Sequence, residues 1–221
     1  MSNPLLVTGR TPSGDPQGVA PDLAREIADR LGVPIRYVPF PRPGELADAA
    51  GQDIWDIGLI GAEPQRADKI AFTTAYAELE ATYLVPPGSP IATMAEVDRP
   101  GVRIATTARS AYGLWLERNI KHATLVHTSS PDDAYERFDS QRIDVLSGLR
   151  ERLLQDVRKL PGARILDGRF TAVQQAVGTA RTNQAGAAFL QSFVAEAISS
   201  GLVARLIARH GVSGLSVPAT R

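Results

Sequence analysis

The sequence contains no cysteine. Disulfides, thiolate catalysis and cysteine metal sites are therefore excluded, although the compartment is not fixed by this. No apolar run reaches the length of a membrane-spanning helix. Neither charge is in excess: Lys plus Arg is 24 and Asp plus Glu is 24. Such a balance lacks the footprint of a nucleic-acid or membrane-surface binder. The amino terminus, MSNPLLVTG, has no charged region leading into a long apolar segment, so no export signal is read there. Phosphate-loop and nucleophile-elbow patterns are absent. His122, His127 and His210 are scattered without metal-ligand spacing and read as surface residues. No metal or cofactor is expected.

What is present is an ordinary globular composition, 43% hydrophobic and 22% charged over 221 residues. That length can bury a sizeable core. Apolar and polar patterning alternates between the two periods. LLVTG (Leu5 to Gly9) reads as a short buried strand. PDLAREIADRLG reads as an amphipathic helix, with Leu23, Ile27 and Leu31 on one face and Gly32 just past its end. IRYVPF reads as a strand, GELADAAG as a short helix and WDIGLI as a strand. IAFTTAYAELEATYLVP reads as loop, then an extended segment, before the linker-like PPGSP.

A second alternating block follows. GVRIATT, ATLVHTS and IDVLSGL read as strands; SAYGLWLERNI, PDDAYERFDSQ and ERLLQDVRKL read as helices. TAVQQAVGTA is extended, and the tail reads as two helices broken near Ser200 and Gly201. Alternating strands and helices predict an α/β fold with parallel sheet and helices on both faces. The echo between GQDIWDIGLI and DSQRIDVLSGL suggests two similar lobes, with extended segments near 82–85 and 172–179 crossing between them.

Taken in order, several pieces resemble the family 3 bacterial extracellular solute-binding proteins, the amino-acid-type binding components of ABC transporters. They are GVAPDLAREIADRLGVPIRYVPF, EPQRADKIAFTTAY, GVRIATTARSAYGLWL, SSPDDAYERFDSQRIDVL and FLQSFVAEAISSGLVARLIARHGV. The resemblance covers nearly the whole chain. It implies a two-lobed, type II periplasmic-binding-protein-like fold, with two mixed sheets flanked by helices and a two-segment hinge. Lobe 1 would hold residues 1–85 and 177–221, lobe 2 residues 86–176, and the ligand cleft would lie between them.

The resemblance also implies site residues. Arg66 matches the arginine that grips the ligand's carboxylate, and a guanidinium fork suits that anion. Its alternative is a salt bridge to Glu63, Asp68 or Glu78. Ser110 matches a hydroxyl at a helix amino terminus, where free amides favour an anion; it is equally a helix cap. Arg109 stands where relatives have glycine. Tyr76, Tyr112 and Trp115 are candidates to line the pocket, although aromatics in YGLWL are more often core.

The chain departs from the family pattern in two places. Five residues after Asp144, where relatives that bind amino acids place an aspartate for the ligand's ammonium, stands Leu149. The early aromatic is missing from TGRTPSGDPQG, where Arg10 lies instead. The carboxylate side of a zwitterion site is thus retained, and Arg10 and Arg109 can reinforce it. The amine side is lost unless Glu63 supplies the charge.

These features predict a monomeric binding protein that captures a small carboxylate-bearing or amino-acid-like solute and delivers it to an ABC transporter permease. The expected compartment is the periplasm, with the export signal removed; the residues leave the cytoplasm open. Two alternatives use the same scaffold: a dehydratase-like enzyme with Glu63 as general acid, and the ligand-sensing domain of a receptor.

Overall fold

The computed structural model describes residues 6–212 and 214–218. In chain order the elements begin with β1 (Gly9–Arg10), β2 (Pro16–Gln17), α1 (Val19–Leu31), α2 (Pro43–Asp48), β3 (Gly58–Gly61) and α3 (Pro64–Ala67). β4 (Ile70–Val85), β5 (Arg103–Thr107), α4 (Ala111–Asn119), β6 (Thr124–Thr128), α5 (Pro131–Ser140) and β7 (Val145–Leu149) follow. The last are α6 (Arg150–Asp156), β8 (Arg164–Ile165), β9 (Thr171–Ala180), α7 (Gln184–Ser199), α8 (Leu202–Arg209) and β10 (Leu215–Ser216). The chain divides into two compact units, Met1–Glu78 with Gln174–Arg221, and Leu79–Val173.

In the first unit, β3 and β9 pair antiparallel, Gly58 opposite Gly178 through Gly61 opposite Gln175. β9 returns from the far end of the chain, and its antiparallel pairing agrees with the mixed sheet that the resemblance implies. α1 buries Val19, Leu23 and Ile27. Leu31, expected on the same face, is 52% exposed, since the helix ends there on left-handed Gly32. Gly18 precedes α1 at φ 147°, and a Cβ there would lie 2.4 Å from the Leu6 carbonyl oxygen. That oxygen accepts the Ala20 amide, so the incoming chain crosses tightly over the helix start.

Two expected strands differ. Of LLVTG, Leu5 lies outside the described residues, and only Gly9 of the rest is in a strand. Residues 35–40 form no strand. Pro34, Pro39, Pro41 and Pro43 punctuate this stretch and remove the amides a sheet would use. Conversely, the segment read as loop then strand is one 16-residue strand, β4. His210 also departs from its surface reading. Its side chain is 7% exposed and its Nε2 lies 2.8 Å from the Asp22 carboxylate at the start of α1.

The second unit has a mixed sheet. β5 runs parallel to β6 and β7, while β4 pairs antiparallel with β7 and β8. Its strands are apolar on both faces, as helices on both sides require. Tyr83, Ile104 and Val145 point to one core cluster, and their neighbours Leu84, Ala105 and Leu146 point to the other. The period of two along each strand separates the two clusters. α5 starts on Ser130, whose hydroxyl accepts the Asp133 amide.

Asp98 fastens the chain that leads into β6. Its carboxylate accepts the amides of Lys121, His122 and Ala123 at 2.9, 2.7 and 2.9 Å. Burial pushes its pKa up, but the three amides outweigh this and hold it below the usual carboxylate range. A depressed folded-state pKa contributes stability above the unfolded value of about 4, and that contribution is lost as pH falls further. Urea titrations should therefore show Asp98→Asn flattening the loss of stability below about pH 4. Asp98→Ala should cost about 1–3 kcal/mol at neutral pH, as for lost hydrogen bonds to a charged group. An acid limb identical to that of the unchanged protein would refute this assignment.

Candidate ligand-binding site

The candidate residues fall on both units, and each unit is described by itself. In the first, β3 ends at Gly61 and α3 begins at Pro64, whose fixed φ suits a first helical position. This one-turn helix carries Arg66. The side chain turns inward: Arg66 is only 5% exposed, and its Nη1 donates to the Gly61 carbonyl at 2.6 Å. Glu63, the residue before the helix, is also buried at 8%. The Glu63 carbonyl accepts the Arg66 amide at 2.9 Å, so the short turn brings the two residues together. A guanidinium buried in this way and bonded to a backbone carbonyl is not a mobile surface charge.

Arg10 is exposed on β1, in the β1–β2 hairpin. Its Nη1 donates to the Gly14 carbonyl at 2.8 Å and closes the hairpin's own loop. Tyr76, expected to line a pocket, has no exposed surface, and its hydroxyl has no hydrogen-bond partner among the described residues. Burial pushes that hydroxyl's pKa up.

In the second unit, the carboxyl ends of three parallel strands meet the amino end of α4. Open α/β sheets bind ligands at such edges. Ser110 caps α4: its Oγ accepts the Gly113 amide at 3.0 Å and donates to the Thr107 carbonyl at 2.7 Å. Capping uses one first-turn amide, and those of Ala111 and Tyr112 have no acceptor within the helix. Thr106 lies beneath this turn, fully buried, and its hydroxyl has no hydrogen-bond partner among the described residues. Tyr112 is buried, which pushes its pKa up. Trp115 packs with Phe170, ring centroids 5.3 Å apart, against the core cluster containing Tyr83.

Arg109 is exposed and left-handed, at φ 59°. This backbone suits glycine and strains other residues. Leu149 ends β7, opposite Ala81, and precedes α6. Arg150 beside it donates from Nε to Glu80 at 2.7 Å and from Nη2 to the Gly168 carbonyl. The second Glu80 oxygen lies 3.6 Å from Arg169.

Sequence reasoning missed Gly113, Thr106 and Glu80. Gly113 had a signal, as a glycine in a helix's first turn. A Cβ there would meet the Thr107 carbonyl oxygen at 2.5 Å and the Ser110 Oγ at 2.9 Å. The burial of Thr106 and the pairing of Glu80 depend on strands distant in sequence and left no local trace.

The profile of the bacterial extracellular solute-binding proteins, family 3, matches residues 4–213. Among curated proteins, a sequence search finds no match. Solved structures share the fold. One is a putative binding component of an ABC transporter from Wolinella succinogenes, complexed with lysine. It is 19% identical, with TM-score 0.73 over 90% of this chain and 88% of that one. Another is a histidine kinase sensor domain with similarity to periplasmic binding proteins. It is 19% identical, with TM-score 0.75 over 94% and 91%. A third, an ancestral amino acid-binding protein that is a precursor of cyclohexadienyl dehydratase, is 18% identical, with TM-score 0.70 over 90% and 88%. The architecture is the α/β, type II periplasmic-binding-protein-like one, a mixed sheet flanked by helices.

Proposed function

The chain belongs to the bacterial extracellular solute-binding proteins, family 3, and on that premise we propose that it captures a small carboxylate-bearing solute and delivers it to an ABC transporter permease. The observation that carries this reading is the amino end of α4. There Ser110 holds the turn and leaves the Ala111 and Tyr112 amides without an acceptor inside the helix, above the buried Thr106 hydroxyl. Arg66 of the first unit supplies the guanidinium. In this reading the solute draws the two units together, and closure follows from contacts made by both. The protein acts in the periplasm, as a monomer, and leaves its solute chemically unchanged.

Leu149 defines the solute further. An ammonium buried beside it would lack a carboxylate, at a cost of several kcal/mol. In a thermal-shift and calorimetric screen, acetate, propionate, butyrate and succinate should stabilise the protein more than the standard amino acids do. Leu149→Asp should shift the preference toward amino acids. A standard amino acid bound at micromolar affinity or tighter would overturn this, and would point to Glu63 as the amine's partner. Recovery of a bound acid in altered form would favour the dehydratase alternative.

A further inference from the structure

α3 carries Arg66 on a single turn, Pro64–Ala67. One turn does not hold itself, because fixing its dihedrals costs more than its few hydrogen bonds return. Inside the segment, the Glu63 carbonyl accepts the amides of Arg66 and Ala67 at 2.9 and 3.2 Å. The Arg66 carbonyl accepts the Lys69 amide at 3.1 Å. The placement of Arg66 therefore depends on what fastens this turn to the rest of the first unit.

The fastening comes from β9 and the residue that follows it. Before the turn, the Ala62 amide donates to the Gln174 carbonyl at 2.7 Å, one step beyond the pairing of Gly61 with Gln175. After the turn, the Arg181 amide donates to the Lys69 carbonyl at 2.9 Å. The Arg181 side chain adds a further tie: its Nη1 donates to the carbonyl of Ala67, the last residue of α3. That carbonyl has no donor inside the turn, and a cation suits the negative end of the helix. The Lys69 tie belongs to the backbone and the Ala67 tie to the side chain. Arg181 is itself exposed, so its side chain fills no core.

We propose that Arg181 is a positioning residue for ligand binding: by holding the Ala67 carbonyl it keeps α3 in the turn from which Arg66 meets the solute's carboxylate. This rests on the carboxylate-binding reading above and adds to it the residue that supports Arg66 from outside the site. A binding group is only as well placed as the hydrogen bonds behind it.

Isothermal titration with succinate and with butyrate tests this, at a temperature where circular dichroism shows every variant folded. Under that condition a loss of stability alone leaves the dissociation constant unchanged. Arg181→Ala should weaken binding at least five-fold for each acid that the unchanged protein binds. Arg181→Lys, whose ammonium reaches the same carbonyl, should stay within two-fold of the unchanged protein. Hydrogen exchange gives the local readout. The Ala67 and Lys69 amides should exchange at least ten-fold faster in Arg181→Ala, while the Val177 amide of β9, held by the Thr73 hydroxyl, keeps its rate. Unchanged affinity in Arg181→Ala would overturn the proposal and leave the carboxylate reading standing. So would equal losses in the alanine and lysine variants, or equal acceleration at Val177, which would mark a general loosening. Failure of both acids to bind the unchanged protein would overturn the carboxylate reading, and this proposal with it.

Discussion

Gly113→Ala is expected to cost about 3 kcal/mol of folding stability and most of the ligand affinity. A Cβ at this position would lie 2.5 Å from the Thr107 carbonyl oxygen, a backbone atom that cannot swing aside, and 2.9 Å from the Ser110 Oγ. Overpacking of this kind costs about 1–3 kcal/mol, occasionally more. Relief requires α4 to lift from the end of β5. The lift breaks the bond from the Gly113 amide to the Ser110 Oγ and moves the first-turn amides off the strand edge. Urea denaturation measures the stability term, and titration with the best acid of the screen measures the affinity term. Ser110→Ala is the control, because it removes the cap without adding volume and should cost only about 1 kcal/mol. A Gly113→Ala protein as stable as the Ser110→Ala one would mean that the turn is looser than described.

Arg66→Ala is expected to lower affinity for a carboxylate ligand by about 30-fold to several-thousand-fold, the equivalent of about 2–5 kcal/mol. The burial of Arg66 adds a second effect. Its stem fills space inside the first unit and its Nη1 serves the Gly61 carbonyl. Truncation removes that packing and that donor, so stability should fall by about 1–3 kcal/mol as well. Arg66→Lys separates the two effects. The lysine stem retains much of the packing, but a point charge does not reproduce the planar fork. Stability should largely return while affinity stays low. Full affinity in Arg66→Lys would refute the bidentate grip, and full affinity in Arg66→Ala would remove Arg66 from the site.

Much of the second unit was legible because its signals are local. PDDAYERFDSQ carries a proline and two acids at its start, and it is the helix α5 behind the cap Ser130. IDVLSGL, read as a strand, contains β7 at Val145–Leu149. The first unit was less legible because its strands depend on distant partners. β3 pairs with β9 across more than a hundred residues, and the direction of that pairing cannot be read from either segment. IRYVPF has the β-branched and aromatic content of a strand, yet the prolines around it prevailed. At the site, the cap at Ser110 was legible as a residue type followed by a helix. The inward turn of Arg66 was not, since arginine is ordinarily exposed. The left-handed backbone at Arg109 was foreshadowed only by the family resemblance, which implies a glycine there.

The second unit is one uninterrupted stretch of chain, whereas the first is assembled from both ends. This bears on synthesis at the ribosome. When Val173 has been added, the second unit has all its strands and helices, but β3 still awaits β9, and α1 awaits the His210 that meets Asp22. At about 5–20 residues per second, the remaining carboxyl-terminal stretch takes roughly 2–10 s to appear. Through that interval the later half of the nascent chain can be folded while the earlier half waits, the reverse of the usual amino-to-carboxyl order. A chaperone that shelters this protein during translation should therefore hold its amino-terminal segment, and release it only after α8 has emerged.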